Sequence, residues 1–403
     1  MLKIRLIDFY KLLLRLNQSR LIYLLFYAAV GSQLPFLPLF LSQQGFENEK
    51  VGLLMGLQGL AVLVAPGIAS HIADSLKGGA KSVAILCNLL GALFLFLLTT
   101  TTDLYLSAIL ILSFGLFFVP LFSLVDGIVV SILRSHHEEA MNKFSSIRAF
   151  GTIGFMVPSA ILAPSFYFFD LPYRFAIYLS ASLALINAIY VFVFLKSDEV
   201  ESKIHKSAPL VLGLKALRKP PLLLFTIINF LIATAMGTYY SFFSIRLKEL
   251  GVPSHSIGLI YNLGPLFELP YLFLGGWLIS RLGIKRLIMI AAVAGLFRFL
   301  ILALSKSVFL VCVSMIAHSA IIMSLAILVT IILDRYCEPH YRYSVLGLTQ
   351  ILNGGVSRLI GGLTVGLALQ LGISHQHEVT FAFILAAFLC LIALLLSFRL
   401  KLD

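Results

Sequence analysis

Asp126, Arg148, Glu268, Arg298 and Arg358 lie inside long apolar runs, where a lipid-facing helix has no place for charge. The chain around them is 60% hydrophobic and only 12% charged, so these five are exceptions to its own composition. Ionisable groups at bilayer depth are costly. They persist where they face a cavity, pair with one another, or handle a solute or protons. Arginine offers a planar fork of donors to an acid, and a carboxylate in a low-dielectric site can take up and release a proton.

The elements that must position them follow from hydropathy. A mean hydropathy of +1.01 over 403 residues is too apolar for one soluble core to hide. A span needs about 20 apolar residues. Twelve such runs are predicted near 21–42, 51–73, 82–102, 104–133, 144–166, 173–195, 221–247, 255–280, 286–305, 307–333, 343–370 and 377–399. They are long and lack period-2 alternation, so the expected fold class is an all-α integral membrane protein with twelve transmembrane helices.

The net charge of +12 would suit a nucleic-acid partner in a soluble protein, but its distribution points elsewhere. Lys3, Arg5, Lys11, Arg15 and Arg20 precede the first run. Lys77 and Lys81 follow the second, Arg134 and Lys143 the fourth, and Lys196, Lys203, Lys206, Lys215, Arg218 and Lys219 the sixth. Arg281, Lys285 and Arg286 follow the eighth, Arg335 and Arg342 the tenth, and Arg399 and Lys401 the last. Twelve spans put all of these on one side, opposite loops holding little beyond Lys50, Arg174, Lys248 and Lys306. The positive-inside rule then places both termini in the cytoplasm, in a cytoplasmic (inner) membrane. The basic excess is topology, and no nucleic acid is implied.

Residues 1–20 lack the cleavage site of a signal peptide. Asp8, Lys11 and Arg15 oppose Leu6, Leu12, Leu13 and Leu16, which predicts an amphipathic cytoplasmic segment lying on the inner leaflet. Cys87, Cys312, Cys337 and Cys390 have no metal or redox spacing, and His136-His137-Glu138-Glu139 lacks the i, i+4 spacing of a zinc helix. Lys77 to Ser82 has Ala80 where a phosphate loop needs glycine. Neither a metal nor a nucleotide cofactor is expected.

A shift of 206 positions lays part of the chain on itself. Val51-Gly52-Leu53-Leu54 falls on Ile257-Gly258-Leu259-Ile260, Gly45 on Gly251, and Ser70–Lys81 on Gly276–Leu287. The polar segment 197–219 reads as a cytoplasmic linker between six-helix bundles at 21–196 and 220–403. Parallel six-span halves with such a linker are the architecture of secondary transporters.

The chain resembles the major facilitator superfamily, whose loop between spans two and three carries glycine, an acid and several bases. Gly276-Trp277-Leu278-Ile279-Ser280-Arg281-Leu282-Gly283-Ile284-Lys285-Arg286 keeps the glycines and bases but has serine for the acid. The N-terminal copy keeps Asp74 and loses the base and glycine after it. The resemblance implies a cytoplasmic gate at Asp74 and Arg281; plain positive-inside anchoring is the alternative for Lys285 and Arg286. The nearer likeness is to the lactose permease, phenylpropionate permease and nucleoside–proton symporter branch. It is carried by Asp126, Ser145 to Gly154 around Arg148, Pro265-Leu266-Phe267-Glu268, Arg298, His318, and Gly354, Gly355, Gly361 and Gly362.

Asp126 and Arg148 are equally distant from residue 137, so on antiparallel neighbouring helices they reach similar depth. Glu268 and Arg298 are likewise equally distant from residue 283. The resemblance implies that Asp126 and Arg148 bind solute and that Glu268, Arg298 and His318 couple protons. A pair that only fixes helix packing, and a neutral hydrogen-bonding His318, are the structural alternatives. The acid that the lactose permease carries three residues after its histidine is Ile321 here, and span seven offers Asn229, Tyr239 and Tyr240 rather than an acid. Arg358 has no evident acid at its depth, and three arginines against two acids suggest a solute carboxylate there. Tyr239 and Asn262 complete the expected solute contacts.

These readings combine into a monomeric proton-coupled symporter of a small organic solute: an aromatic or other acid, a nucleoside or a sugar. Its partners are that solute, protons and the bilayer. An efflux antiporter is the transport-class rival. An intramembrane enzyme lacks a nucleophile–base pair, and a non-transporting sensor lacks an appended domain.

Overall fold

The computed structural model describes residues 2–75, 79–134, 144–195, 217–336, 348–371 and 377–400, with 215, 345 and 373. Every regular element among them is helical. In order these are α1 (Leu2–Gln33), α2 (Leu37–Gln43), α3 (Asn48–Ser75), α4 (Gly79–Leu98), α5 (Leu104–Phe118), α6 (Pro120–Arg134), α7 (Phe144–Phe168) and α8 (Arg174–Phe194). Then come α9 (Pro220–Glu249), α10 (Ser254–Leu282), α11 (Ile284–Leu304), α12 (Val308–Ser314), α13 (Ile316–Ile322), α14 (Val329–Tyr336), α15 (Ser357–Gly362), α16 (Thr364–Gln370) and α17 (Glu378–Phe398). The π-helical turns Met323–Leu328 and Ile351–Val356 lead into α14 and α15. Helices answer the main constraint of lipid, because every backbone donor is satisfied within its own segment.

Ten stretches among the described residues are long and apolar enough to cross a bilayer. The expected eighth span corresponds to α10, and the eleventh to the second π-turn with α15 and α16. Several expected spans are interrupted. Helix α1 runs unbroken through the predicted surface segment and ends before Pro35, whose ring cannot continue the ladder. Pro120 splits the fourth run for the same reason. The Val119 amide still closes on Gly115, and α6 restarts with Pro120 at its first position, less than two turns before Asp126.

The chain clusters into two compact units, Met1–Leu37 with Val64–His205, and Pro38–Leu63 with Lys206–Asp403. The division differs from the bundle boundaries read from the sequence, because the first half of α3 groups with the later helices. Contacts inside the second unit give the reason. Gly52 meets the Gly362 carbonyl, Gly59 meets the Gly355 carbonyl, and a Cβ on Gly56 would stand 3.2 Å from the Leu359 carbonyl. Small residues let these backbones touch. Of the 197–219 linker, only 215 and 217–219 fall within the described residues.

The internal repeat reaches the level of single hydrogen bonds. The Gly45 amide donates to Ser42 and Phe46 to Leu41, and 206 positions later Gly251 donates to Lys248 and Val252 to Leu247. Both glycines have positive φ, +93° and +74°, so each closes its helix in the left-handed conformation that glycine adopts without strain.

Candidate functional site

In the first unit, α1 and α7 come close enough for Gly31 to meet the Phe155 backbone and Gly154 that of Leu24. A Cβ on Gly151 would stand 2.8 Å from the Tyr27 ring. The glycines that carried the span-five resemblance therefore set the distance between α1 and the helix bearing Arg148. Tyr23, fully buried on α1, donates its hydroxyl to Asp126 Oδ1 at 2.6 Å. Asp126 is half-buried and Arg148 exposed, and Tyr23 lies in the field of both charges. Tyr27 and Phe122 stand edge to face at 5.9 Å beside them, and Phe26 meets Phe122 at 4.9 Å. The arrangement is a carboxylate tethered by a phenol and walled by rings. Tyr23 was missed in the sequence, although its spacing of four from Tyr27 puts both on one helical face.

The second unit gathers charges from other helices around Tyr239 and Tyr240 of α9. Arg298, on α11, is fully buried. Its Nη1 donates to His318 Nδ1 at 2.9 Å, and its two terminal nitrogens meet the sulfurs of Met236 and Met315 at 3.7 and 3.4 Å. The guanidinium carbon sits 4.2 Å from the Tyr239 ring centre. Because guanidinium nitrogens only donate, His318 Nδ1 must accept, which puts the imidazole proton on Nε2 and keeps the ring neutral. His318 fits because α10 has Gly264 opposite it: a Cβ there would lie 3.0 Å from the ring.

Equal spacing around residue 283 predicted that Arg298 would meet Glu268. Among the described residues no carboxylate is in contact with Arg298, whose partners are His318, Tyr239 and the two methionines. Rise along a helix sets depth, but rotation about its axis sets facing, and spacing alone carries only the first. Glu268 is half-buried between Pro265 and Pro270, whose missing amides leave carbonyls of the preceding turn without their usual donors. It acts instead on Tyr240, whose ring lies 5.2 Å from the Arg358 guanidinium carbon. Arg358 reaches that position because Gly237 lets the chain at Ser357 and Arg358 come within 3.0 Å of where its Cβ would be. Tyr239 stands 5.4 Å from Tyr240 and 5.6 Å from Tyr261, so the tyrosines form one aromatic wall. Asn262 is buried on the same turn of α10 as Tyr261.

Five of the expected residues thus come together: Tyr239, Glu268, Arg298, His318 and Arg358. Tyr240 and Tyr261 join them, together with the glycine notches. Asn229 lies further along α9, where Ser324 of the first π-turn donates to its Oδ1 at 2.8 Å. Such π-turns often mark functional segments of a helix. Of the expected gate, Arg281 is exposed in the last turn of α10, whereas the side chain of Asp74 lies outside the described residues.

Known proteins share this arrangement of helices. The chain is 23% identical to the nucleoside permease NupG of Escherichia coli over 344 residues, 81% of each chain. It is 23% identical to the xanthosine permease of the same organism over 340 residues, 81% of this chain and 80% of that one. It is 24% identical to the probable 3-phenylpropionic acid transporter of E. coli over 284 residues, 69% and 71% of the two chains. The crystal structure of the nucleoside transporter NupG superposes with a TM-score of 0.83 at 21% identity, covering 96% of this chain and 100% of that one. These relatives are permeases and transporters rather than enzymes, and the fold is theirs. The MFS_1 like family matches residues 16–395, and the chain belongs to that family of multi-pass membrane transporters.

Proposed function

We propose that this transporter couples entry of protons to uptake of a small organic solute of the nucleoside or aromatic-acid type, by alternating access across the cytoplasmic membrane. The observation that carries the reading is Glu268: a half-buried carboxylate in mid-helix, between two prolines, whose charge is felt at Tyr240 together with those of Arg358 and Arg298. A carboxylate there trades a solvated site for an arginine-flanked one as the protein rearranges, and that change of surroundings is what lets a group load and release a proton. His318, held neutral by Arg298, serves better as a fixed donor than as a proton carrier. That refines the role expected for it. Within the second unit, Tyr239, Asn262 and Arg358 are proposed as solute contacts; within the first, Asp126, Arg148 and Tyr23 are proposed as a polar group of the same kind. The names of the relatives support the solute class, and the distribution of lysine and arginine supports cytoplasmic termini and the 21–196 and 220–403 halves.

Proteoliposomes with an imposed pH gradient test the coupling. Glu268→Gln should abolish proton-driven accumulation while leaving solute exchange intact. Accumulation that survives the substitution refutes the assignment, and proton movement opposite to the solute would make the protein an antiporter.

A further inference from the structure

Arg298 presents an unusual electrostatic problem. It is fully buried, yet its contacts among the described residues are an imidazole, two thioethers and aromatic faces, and its Nε has no hydrogen-bond partner. Sulfur and ring faces polarise toward a cation but bring no opposite charge. A buried charge without a counter-charge is expensive to keep. His318 cannot help, since accepting from Arg298 leaves it neutral.

Two arginine charges bracket a short stack of contacts in which the two tyrosine rings meet edge to face. Arg298 lies on Tyr239 at 4.2 Å, Tyr239 is 5.4 Å from Tyr240, and Tyr240 lies 5.2 Å from Arg358. Arg298 and Tyr239 form its buried end, while Tyr240 and Arg358 are half-buried and form its accessible end. In mid-span this second half of the sequence holds two arginines and one acid, Glu268, and Tyr240 lies in the field of all three. The stack therefore carries one positive charge in excess.

We infer that the solute of this transporter is a planar anion, an aromatic carboxylate or an ionised heterocycle, whose ring rests on the Tyr240 end of the stack and whose charge offsets the Arg298–Arg358 excess. This rests on the proposed transport function with Glu268 as the proton group, and it gives that function an electrostatic mechanism. A proton on Glu268 removes the acid and raises the excess from one charge to two. The anion then binds more tightly, and by reciprocity the bound anion favours the proton. Direct contact with Arg298 is not needed: at an effective dielectric of about 20, one extra charge some 8 Å away changes affinity by about tenfold or more.

Calorimetry on the purified full-length protein in nanodiscs tests the inference without any gradient. The probes are pairs matched in shape and differing in charge: 3-phenylpropionate against 3-phenylpropanamide, and xanthosine, which ionises near neutral pH, against inosine. The acid of each pair should bind about tenfold more tightly than its neutral partner. Arg358→Gln should reduce that preference to about threefold or less, and Arg298→Met, which keeps the packing, should do the same. 3-Phenylpropionate, ionised throughout, should bind more tightly at pH 6 than at pH 8, and Glu268→Gln should remove that pH dependence. Equal binding of acid and neutral partner, a preference that survives both arginine substitutions, or binding of neither pair overturns the inference. Failure of the transport reading would show separately, as a bound solute that no gradient moves into proteoliposomes.

Discussion

Gly264→Ala is the smallest change that should damage the site. An added Cβ would stand 3.0 Å from His318 Cδ2 and 3.1 Å from Cγ, well inside the separation of about 3.5–4.0 Å that carbon atoms prefer. The ring has little room to yield, since its other side is bonded to Arg298 at 2.9 Å and the residue is buried. Overpacking of this kind costs about 1–3 kcal/mol. The intrinsic preference of a helix for alanine over glycine returns about 0.5–1 kcal/mol. A net loss of up to about 2.5 kcal/mol of stability follows from those two terms. If the ring is displaced, the charged hydrogen bond from Arg298, worth about 1.5–3 kcal/mol of stability, is weakened as well, and solute binding should weaken with the loss of a positioned His318. Gly275→Ala on the same helix is the control, because its nearest neighbour, Ile327 Cδ1, is an ordinary 3.9 Å away. Thermal unfolding in detergent and isothermal binding of the solute should separate the two variants, with Gly275→Ala at or above the parent in both. A Gly264→Ala protein that melts and binds like Gly275→Ala would show that the notch does not position His318.

Two further substitutions test contacts that fold and function share. Tyr23→Phe keeps the ring but removes the 2.6 Å bond to Asp126, a charged hydrogen bond worth about 1.5–3 kcal/mol; thermal stability should fall accordingly and solute binding should weaken, and unaltered binding would count against a role for Tyr23. Asn48→Asp replaces a 2.7 Å donor to Glu378 with a second carboxylate, so the melting temperature should drop at neutral pH and recover as pH falls and one acid takes a proton, whereas a pH-independent loss would refute the contact.

Much of the architecture was legible before any coordinates. Apolar runs of span length and the Gly45 and Gly251 landmarks survive in the folded chain, ten of the runs among the described residues as bilayer-length helices and the two glycines as matching left-handed caps. These features are local: they depend on composition and on backbone geometry over a few residues. The breaks at Pro35 and Pro120 were also written in the chain, but the apolar runs around them concealed them.

One expected pairing of charges is not found in the folded chain. Arg298 was expected beside Glu268 and is found on His318 and Tyr239, while Glu268 and Arg358 both act on Tyr240. The amino-acid sequence was enough to establish a helical membrane protein with costly charges buried in it, since hydropathy and rise per residue are properties of each segment alone. Which charge faces which depends on the rotation of every helix and on how closely its neighbours approach. Those depend on notches such as Gly237 and Gly264, which acquire meaning only once Arg358 and His318 are packed against them.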